Sequence, residues 1–408
     1  MKEEILKIII ALKAKKISVS KIEKELGFSN GLIGKAAKGG TGLSEDKIEK
    51  LRDYFKSVTG VCDSPMVKTK LVVEKSGLKE KPSDESLKEI RVSNEKINKD
   101  FGAGTVMFFG DKPQQGYDVI STGSIGLDSA LGIGGFPRGR MVEIYGLESS
   151  GKTTIALQVI ANAQKKGLKC LLIDAENAFD PEYADALGVD VDTLQYCQPS
   201  CGEDGLEVAD RKITSGEANV VVIDSVAALT PKRELEGEMG DSVMGLHARL
   251  MSQACRKMVT SVSKTNTLLI FINQIRNKIG MVFGNPEVTT GGMALQFYAS
   301  IRVSITRMAQ IKDGDVLLGN KTKAKVTKNK CAPPMKIAEF DINYGQGVDR
   351  TGEIIDAAVL GGIIKKSGSW FSYNEDKLGQ GREQVKELLN DNPDLKEEIN
   401  SQLTNINH

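Results

Sequence analysis

The sequence predicts an α/β protein built on a mostly parallel sheet with helices on both faces, followed by a small α/β segment and preceded by an all-α unit. Four short apolar runs, at 141–145, 170–174, 220–224 and 268–273, alternate with helical stretches. Apolar strands separated by helices are the pattern of a parallel sheet buried on both sides. The first of these runs turns through a glycine-rich segment directly into a helix, and the first 56 residues carry only helical periodicity.

At the front, Ile5, Ile8, Ile9 and Leu12 place one amphipathic helix over 2–16. Ser20 and Glu23 have capping-box spacing and open a second short helix that Gly27 stops, and Ser29 caps a third through Leu32, Ile33 and Ala36. Ser44 caps a fourth, which carries Ile48, Leu51, Tyr54 and Phe55. Two short helices about a glycine turn, within a segment holding 13 Lys+Arg against 8 Asp+Glu over residues 1–60, fit a helix-turn-helix DNA-binding domain. The alternative is a small helical protein-interaction domain. Ser29, Asn30, Lys35 and Lys38 favour DNA, whereas Gly31 and Gly34 weaken the third helix. Residues 57–86 are polar and of mixed charge without periodicity, which predicts a flexible linker.

A chain of 408 residues has room for two or three domains, and its net charge of +1 argues against a protein that coats polyanions by overall charge. No apolar run approaches the roughly 20 residues a membrane helix requires, which points to a cytoplasmic protein. The six cysteines are scattered and His247 and His408 are the only histidines, so zinc-ligand spacing is missing.

The run at 141–145 leads into Gly146, Leu147, Glu148, Ser149, Ser150, Gly151, Lys152, Thr153 and Thr154, and then a helix. This is the P-loop spacing in its required strand-to-helix context. Its N–H groups form an anion nest for the phosphates of ATP, Lys152 reaches the β- and γ-phosphates, and Thr153 ligates Mg²⁺. Asp224 ends a neighbouring apolar strand and supplies the second metal contact. Glu176 follows the 170–174 strand on the same sheet edge and is the candidate base for attack by water, the alternative being a solvated loop carboxylate. Gln274 ends the 268–273 strand beside that edge, placed to sense the γ-phosphate. The long loop at 275–289 then mixes Arg276 and Lys278 with Ile279 and Phe283. Cations for phosphates and apolar groups for bases suit a single-strand binder, and a surface excursion is the other reading. Later β-like runs at 301–306, 323–327 and 337–342 predict antiparallel strands that extend the sheet.

Together these segments closely resemble the bacterial RecA recombinases over roughly 98–381. Beside the P-loop, the resemblance is carried by Ile120-Ser-Thr-Gly-Ser124, Asp174-Ala-Glu-Asn-Ala-Phe-Asp-Pro181, Asp224-Ser-Val-Ala-Ala-Leu-Thr-Pro-Lys232, Phe271-Ile-Asn-Gln-Ile-Arg276, Lys328-Asn-Lys330 and Ser367-Gly-Ser-Trp-Phe-Ser-Tyr373. It implies a RecA-type P-loop NTPase core at 116–349, a polymerisation segment at 87–115 and a small C-terminal α/β domain at 350–408, behind the helix-turn-helix unit (1–56) and linker (57–86). The helix expected before residue 97 is weakly patterned here.

The implied activity is a DNA-dependent ATPase, with ATP and Mg²⁺ as cofactors, that forms a helical filament on single-stranded DNA. It pairs that strand with homologous duplex DNA and exchanges strands in recombinational repair. A self-cleaving repressor joins the candidate partners. By the same resemblance Glu176 is the catalytic carboxylate, and Asp180, Tyr183 and Tyr344 hold adenine and ribose. Lys328 and Lys330 reach the γ-phosphate of a neighbouring subunit, and Phe297 relays the interface to Gln274. Segments 236–245 and 275–289 correspond to two DNA-binding loops. Ser252, Arg256, Gly291 and Gly292 match backbone contacts, while Met244, Arg249, Ile279 and Glu287 match residues that separate and brace base triplets. Val243, Asn277, Met293 and Gln296 depart from the family pattern. The competing reading is a nucleotide-gated DNA-binding regulator or recruiter that acts through the front domain.

Overall fold

A computed structural model of the chain describes residues 18–29, 32–33, 44–59, 84–102, 105–108, 116–238, 245–277 and 287–406. The chain divides into two units, Met1–Lys112 and Pro113–His408.

In the first unit, α1 (Val19–Glu25) starts earlier than the capping-box reading has it: Ser18 is the N-cap, and its hydroxyl accepts from the Lys21 N–H at 3.3 Å. The reason lies in Glu23. Only 2% exposed, it accepts the Ile33 N–H at 2.8 Å, so its carboxylate ties the next short helical segment to α1. Ile22, Phe28, Ile33, Ile48 and Leu51 are the buried apolar side chains among the described residues here. Helix α2 (Glu45–Thr59) follows Ser44 directly, and α3 (Asp84–Phe101) is a helix of 18 residues despite its weak pattern. The expected linker therefore loses both ends to helix. After α3, Asn98 clasps Val106 through two hydrogen bonds of 2.9 Å. The helix expected over 2–16 and most of the third helix lie outside the described residues.

The second unit opens with β1 (Val119–Ile120), α4 (Ile125–Leu131) and β2 (Phe136–Pro137). Its sheet is then laid down by β3 (Met141–Gly146), α5 (Lys152–Gln164), β4 (Cys170–Asp174), α6 (Pro181–Ala186), β5 (Gln195–Cys197), α7 (Gly202–Thr214) and β6 (Val220–Asp224). Next come α8 (Lys232–Leu235), α9 (Leu246–Lys264), β7 (Leu268–Asn277), β8 (Glu287–Thr289), α10 (Ala294–Tyr298), β9 (Ile301–Asp313), β10 (Val316–Asn329), β11 (Ile337–Asn343) and β12 (Gly347–Val348). The strand order is β12-β11-β10-β9-β3-β7-β6-β4-β5, with β8 paired to β7.

The run at 301–306 departs from its antiparallel expectation. As part of β9 it lies parallel to β3, with Val142 opposite Ile301, and the antiparallel pairing on this side of the sheet begins where β9 meets β10 and continues through β11 and β12. The chain reaches β9 through α10, and a connection of this kind returns a strand in parallel, whereas the tight turn at Gly314 (φ 57) reverses β9 into β10.

Alternate residues of the parallel strands feed two cores, one on each sheet face. Leu268, Ile270 and Ile272 of β7 join Val142 and Ile144 on one side; Leu269 and Phe271 join Met141, Ile173 and Ile223 on the other. Phe271 is fully buried, so Phe271→Ala is expected to lower stability by about 3–5 kcal/mol through lost contacts and a residual cavity. Urea denaturation measures it, and a loss below about 1 kcal/mol would contradict this packing.

The C-terminal segment consists of α11 (Arg350–Leu360), the antiparallel strands β13 (Lys365–Ser367), β14 (Trp370–Tyr373) and β15 (Asp376–Gln380), α12 (Arg382–Asp391) and α13 (Pro393–Ile406). Buried Glu353 of α11 joins it to the core by accepting from Ser124 Oγ at 2.7 Å and from the Ile125 and Gly126 N–H groups at 3.0 Å, at the start of α4. Among the described residues no helix is long and apolar enough to cross a membrane.

Candidate active site

A close backbone approach at Gly146 and a left-handed backbone at Gly151 dictate glycine in the turn between β3 and α5. A Cβ on Gly146 would lie 2.2 Å from the Ile305 carbonyl oxygen, and one on Gly151 2.4 Å from Ile342 Cδ1. Ser149 (φ 54) and Gly151 (φ 95) take left-handed backbone, a conformation that turns successive N–H groups toward a common anion. Lys152 is only 8% exposed, and its ammonium donates to the Leu147 carbonyl at 2.7 Å. Burial pushes its pKa down, opposed by the charges of Asp224, Glu176 and Glu148. A buried ammonium at the N-terminus of a 13-residue helix is matched by a polyanion.

The parallel register that sets Asp174 beside Asp224 brings the strand ends together. Thr153 Oγ1 donates to Asp224 Oδ2 at 2.7 Å, which joins the two expected metal contacts. Beyond β4 the Ala175 N–H donates to the Asp224 carbonyl at 2.7 Å and fixes the approach to Glu176. Gln274 Nε2 donates to Glu176 Oε1 at 2.9 Å, and Ser225 Oγ donates to the same oxygen. Glu176 is therefore a held carboxylate rather than a freely solvated one. Ser225, only 1% exposed, escaped the sequence reading because a serine after a strand carries no periodic signal.

Burial pushes Asp224 up to about 6, with Glu176 and Asp174 adding to the rise and the Thr153 hydrogen bond and Lys152 opposing it. The folded protein thus keeps a proton that the unfolded chain releases, so this group's contribution to stability falls as pH rises through about 4 to 6. With neither nucleotide nor metal present, Asp224→Asn should gain about 1–3 kcal/mol on the wild type between pH 4 and pH 7. Parallel pH profiles in chemical denaturation would contradict it.

A cleft of about 390 Å³ extends from the loop and is lined by Ser149 to Thr154, Tyr183, Arg307, Asn320, Thr322, Ile342 and Tyr344. Thr154 Oγ1 and the Tyr183 hydroxyl lie 2.8 Å apart, and Asn320 Nδ2 donates to the Tyr344 hydroxyl at 2.9 Å. Asp180 has a different contact: its carboxylate caps α6 by accepting the Tyr183 N–H at 3.1 Å. Asn320 Oδ1, Thr322 Oγ1 and Ser150 Oγ are buried without a hydrogen-bond partner. An orphaned acceptor and hydroxyls around an apolar Ile342 fit a ligand that carries its own donors and acceptors, as a nucleoside polyphosphate does.

Away from the loop, Lys328 Nζ donates to the Gln296 and Phe297 carbonyls at 2.6 and 3.0 Å, and Lys330 Nζ to Phe297 at 3.5 Å. The Phe297 ring itself is 66% exposed. On α9, Arg249, Ser252 and Arg256 follow helical spacing opposite the buried Met251, Cys255 and Met258. The expected loop at 275–289 is shorter than read, because both of its ends pair as strand: Ile275 with Thr289, Arg276 with Val288 and Asn277 with Glu287. Gly291 and Gly292 close against α9, where a Cβ on Gly291 would come within 3.1 Å of Met251 Cγ and one on Gly292 within 2.8 Å of Ala248 Cβ. Met244, Lys278, Ile279 and Phe283 lie outside the described residues.

The RecA N-terminal domain family matches residues 88–349 and the RecA C-terminal domain family residues 352–406. The chain belongs to the RecA family. It is similar to the RecA protein of Porphyromonas gingivalis, 58% identical over 320 residues that cover 78% of this chain and 94% of that protein. It is also 60% identical over 307 residues to that of Bifidobacterium longum, covering 75% of this chain and 77% of the relative. A solved structure titled as the RadB recombinase matches 56% of this chain and 98% of its own at 24% identity and a TM-score of 0.43, too distant to bear on function. As a RecA-family member the protein is a DNA-dependent ATPase that acts in DNA recombination and repair, and the regulator-only reading is not favoured.

Proposed function

We propose that the protein polymerises on single-stranded DNA in the presence of ATP and Mg²⁺, pairs that strand with homologous duplex DNA and exchanges strands. The chain divides for this purpose into a helix-turn-helix-like unit (1–56), a tether (57–86), a polymerisation segment (87–115), the ATPase core (116–349) and a C-terminal domain (350–408). The P-loop from Gly146 to Thr154 holds the phosphates, and Asp180, Tyr183 and Tyr344 hold the adenosine. Thr153 and Asp224 hold Mg²⁺, which supplies charge neutralisation when bound. Glu176 orients the attacking water and takes its proton, while Lys152 and Gln274 meet the β- and γ-phosphates. Lys328, Lys330 and Phe297 serve the adjoining subunit's site. Arg249, Ser252, Arg256, Arg276, Gly291 and Gly292, with Met244, Lys278, Ile279, Phe283 and Glu287, serve DNA. A self-cleaving repressor is a further partner of the filament.

The Gln274–Glu176 hydrogen bond of 2.9 Å carries this reading. Gln274 sits on the strand that runs directly into the second loop, so DNA that reorders the loop changes how the base is held. Single-stranded DNA should therefore raise ATP turnover severalfold or more, and a chain lacking residues 1–60 should still exchange strands in an oligonucleotide displacement assay. Turnover indifferent to DNA would sink the proposal.

A further inference from the structure

A row of polar side chains crosses four adjacent strands of the sheet. Glu143, on β3 just ahead of the P-loop, is completely buried. Its Oε2 accepts from Arg302 Nε of β9 at 2.5 Å, and its Oε1 from Asn273 Nδ2 of β7 at 2.9 Å. On the β7 side, Asn273 Oδ1 accepts the Gln274 N–H at 2.9 Å and the Thr290 hydroxyl at 2.5 Å, and Asn273 Nδ2 also donates to the Thr290 carbonyl at 3.0 Å. On the β9 side, Arg302 is paired in register with Lys328 of β10 and lies 4.6 Å from the Tyr145 ring centre. Burial, Lys330 and Arg302 push the Lys328 ammonium down while Glu143 pulls it up, so the charge of Glu143 is felt at the end of the row.

A buried ion pair of this kind seldom adds stability over apolar residues of the same size. What it does supply is a directional connection, hydrogen-bonded from Thr290 through Asn273 and Glu143 to Arg302, with Lys328 beside Arg302 in register. One end holds the backbone of Gln274 and the closing end of the second loop; the other adjoins Lys328 and Lys330. Glu143 is the only carboxylate in the row and is held by both sides.

We propose that Glu143 is a positioning residue that couples the nucleotide site to the second loop and to the subunit edge, so that nucleotide binding and DNA binding strengthen one another through it. The inference rests on the filament reading above. Because coupling between two ligands is reciprocal, it is measured as the factor by which one changes the affinity of the other. The experiment compares single-stranded DNA affinity with and without a non-hydrolysable ATP analogue and Mg²⁺, alongside analogue affinity without DNA. Three variants are used. Glu143→Gln removes the charge; Thr290→Val removes only the loop-side hydroxyl and leaves the ion pair; Glu143→Gln with Arg302→Gln guards against misfolding from an unpaired buried cation.

Wild-type protein should show a factor of about 5–150, and each variant a factor within about threefold of one, with analogue affinity in the absence of DNA unchanged within about threefold. A merely structural role would lower both affinities and leave the factor intact. The wild-type factor retained in Thr290→Val, or in whichever Glu143 variant folds, overturns the proposal. A factor of one in the wild type itself overturns the underlying filament reading instead, and the proposal with it.

Discussion

Glu176→Gln is expected to bind ATP and assemble on DNA as the wild type does while turning over ATP about 10²–10⁴-fold more slowly. Glutamine keeps the shape and one carbonyl oxygen, so the donations from Ser225 Oγ and Gln274 Nε2 persist. Only the basicity is lost. On the proposed function assembly responds to the bound nucleotide and hydrolysis to the proton acceptor, so light scattering should report filaments while phosphate release falls. Near-normal phosphate release would overturn the assignment of Glu176 as the base.

Lys328→Ala with Lys330→Ala should lower DNA-stimulated turnover by about 10³-fold, the scale on which a cation supplied in trans acts. Nucleotide affinity of the dispersed protein should be unchanged. Both ammonium groups now rest on carbonyls of the segment that bears Phe297, and burial pushes the Lys328 ammonium down. Such a group gains from meeting a phosphate. Stopped-flow measurement of analogue binding without DNA, beside steady-state turnover with DNA, separates the two effects. A matched loss of both would place the lysines in their own subunit's site.

The chemistry was most legible where strand period, turn and motif coincide. Gly146 to Thr154 and Asp224 stand at the ends of apolar runs, and the sheet register delivers them to one edge. Glu176 needed the fold, because only the pairing of β4 with β6 and the hydrogen bonds from Ser225 and Gln274 distinguish it from a solvated carboxylate. Asn320 and Thr322 were not visible: they line the cleft from β10, which begins at Val316, whereas an apolar-periodicity reading starts that strand at 323. Polar residues that face a cleft break the alternation on which such a reading depends. The parallel course of β9 was hidden for a related reason, since direction is set by the connection and not by the strand's own residues. At the front, Ser20 and Glu23 had the spacing of a capping box, but a tertiary contact to Ile33 claimed the carboxylate.

ATP hydrolysis shared between subunits, as proposed above, can be read in mixed filaments. Glu176→Gln protomers retain both lysines; Lys328→Ala/Lys330→Ala protomers retain the base. Each alone should be nearly inactive on single-stranded DNA. Mixed in equal amounts in a head-to-tail filament, they create junctions with an intact base on one side and intact lysines on the other, at about a quarter of all junctions. Turnover in the mixture should reach about a quarter of the wild-type rate. A mixture no more active than its two components would show that each site is complete within one chain and that hydrolysis is not shared.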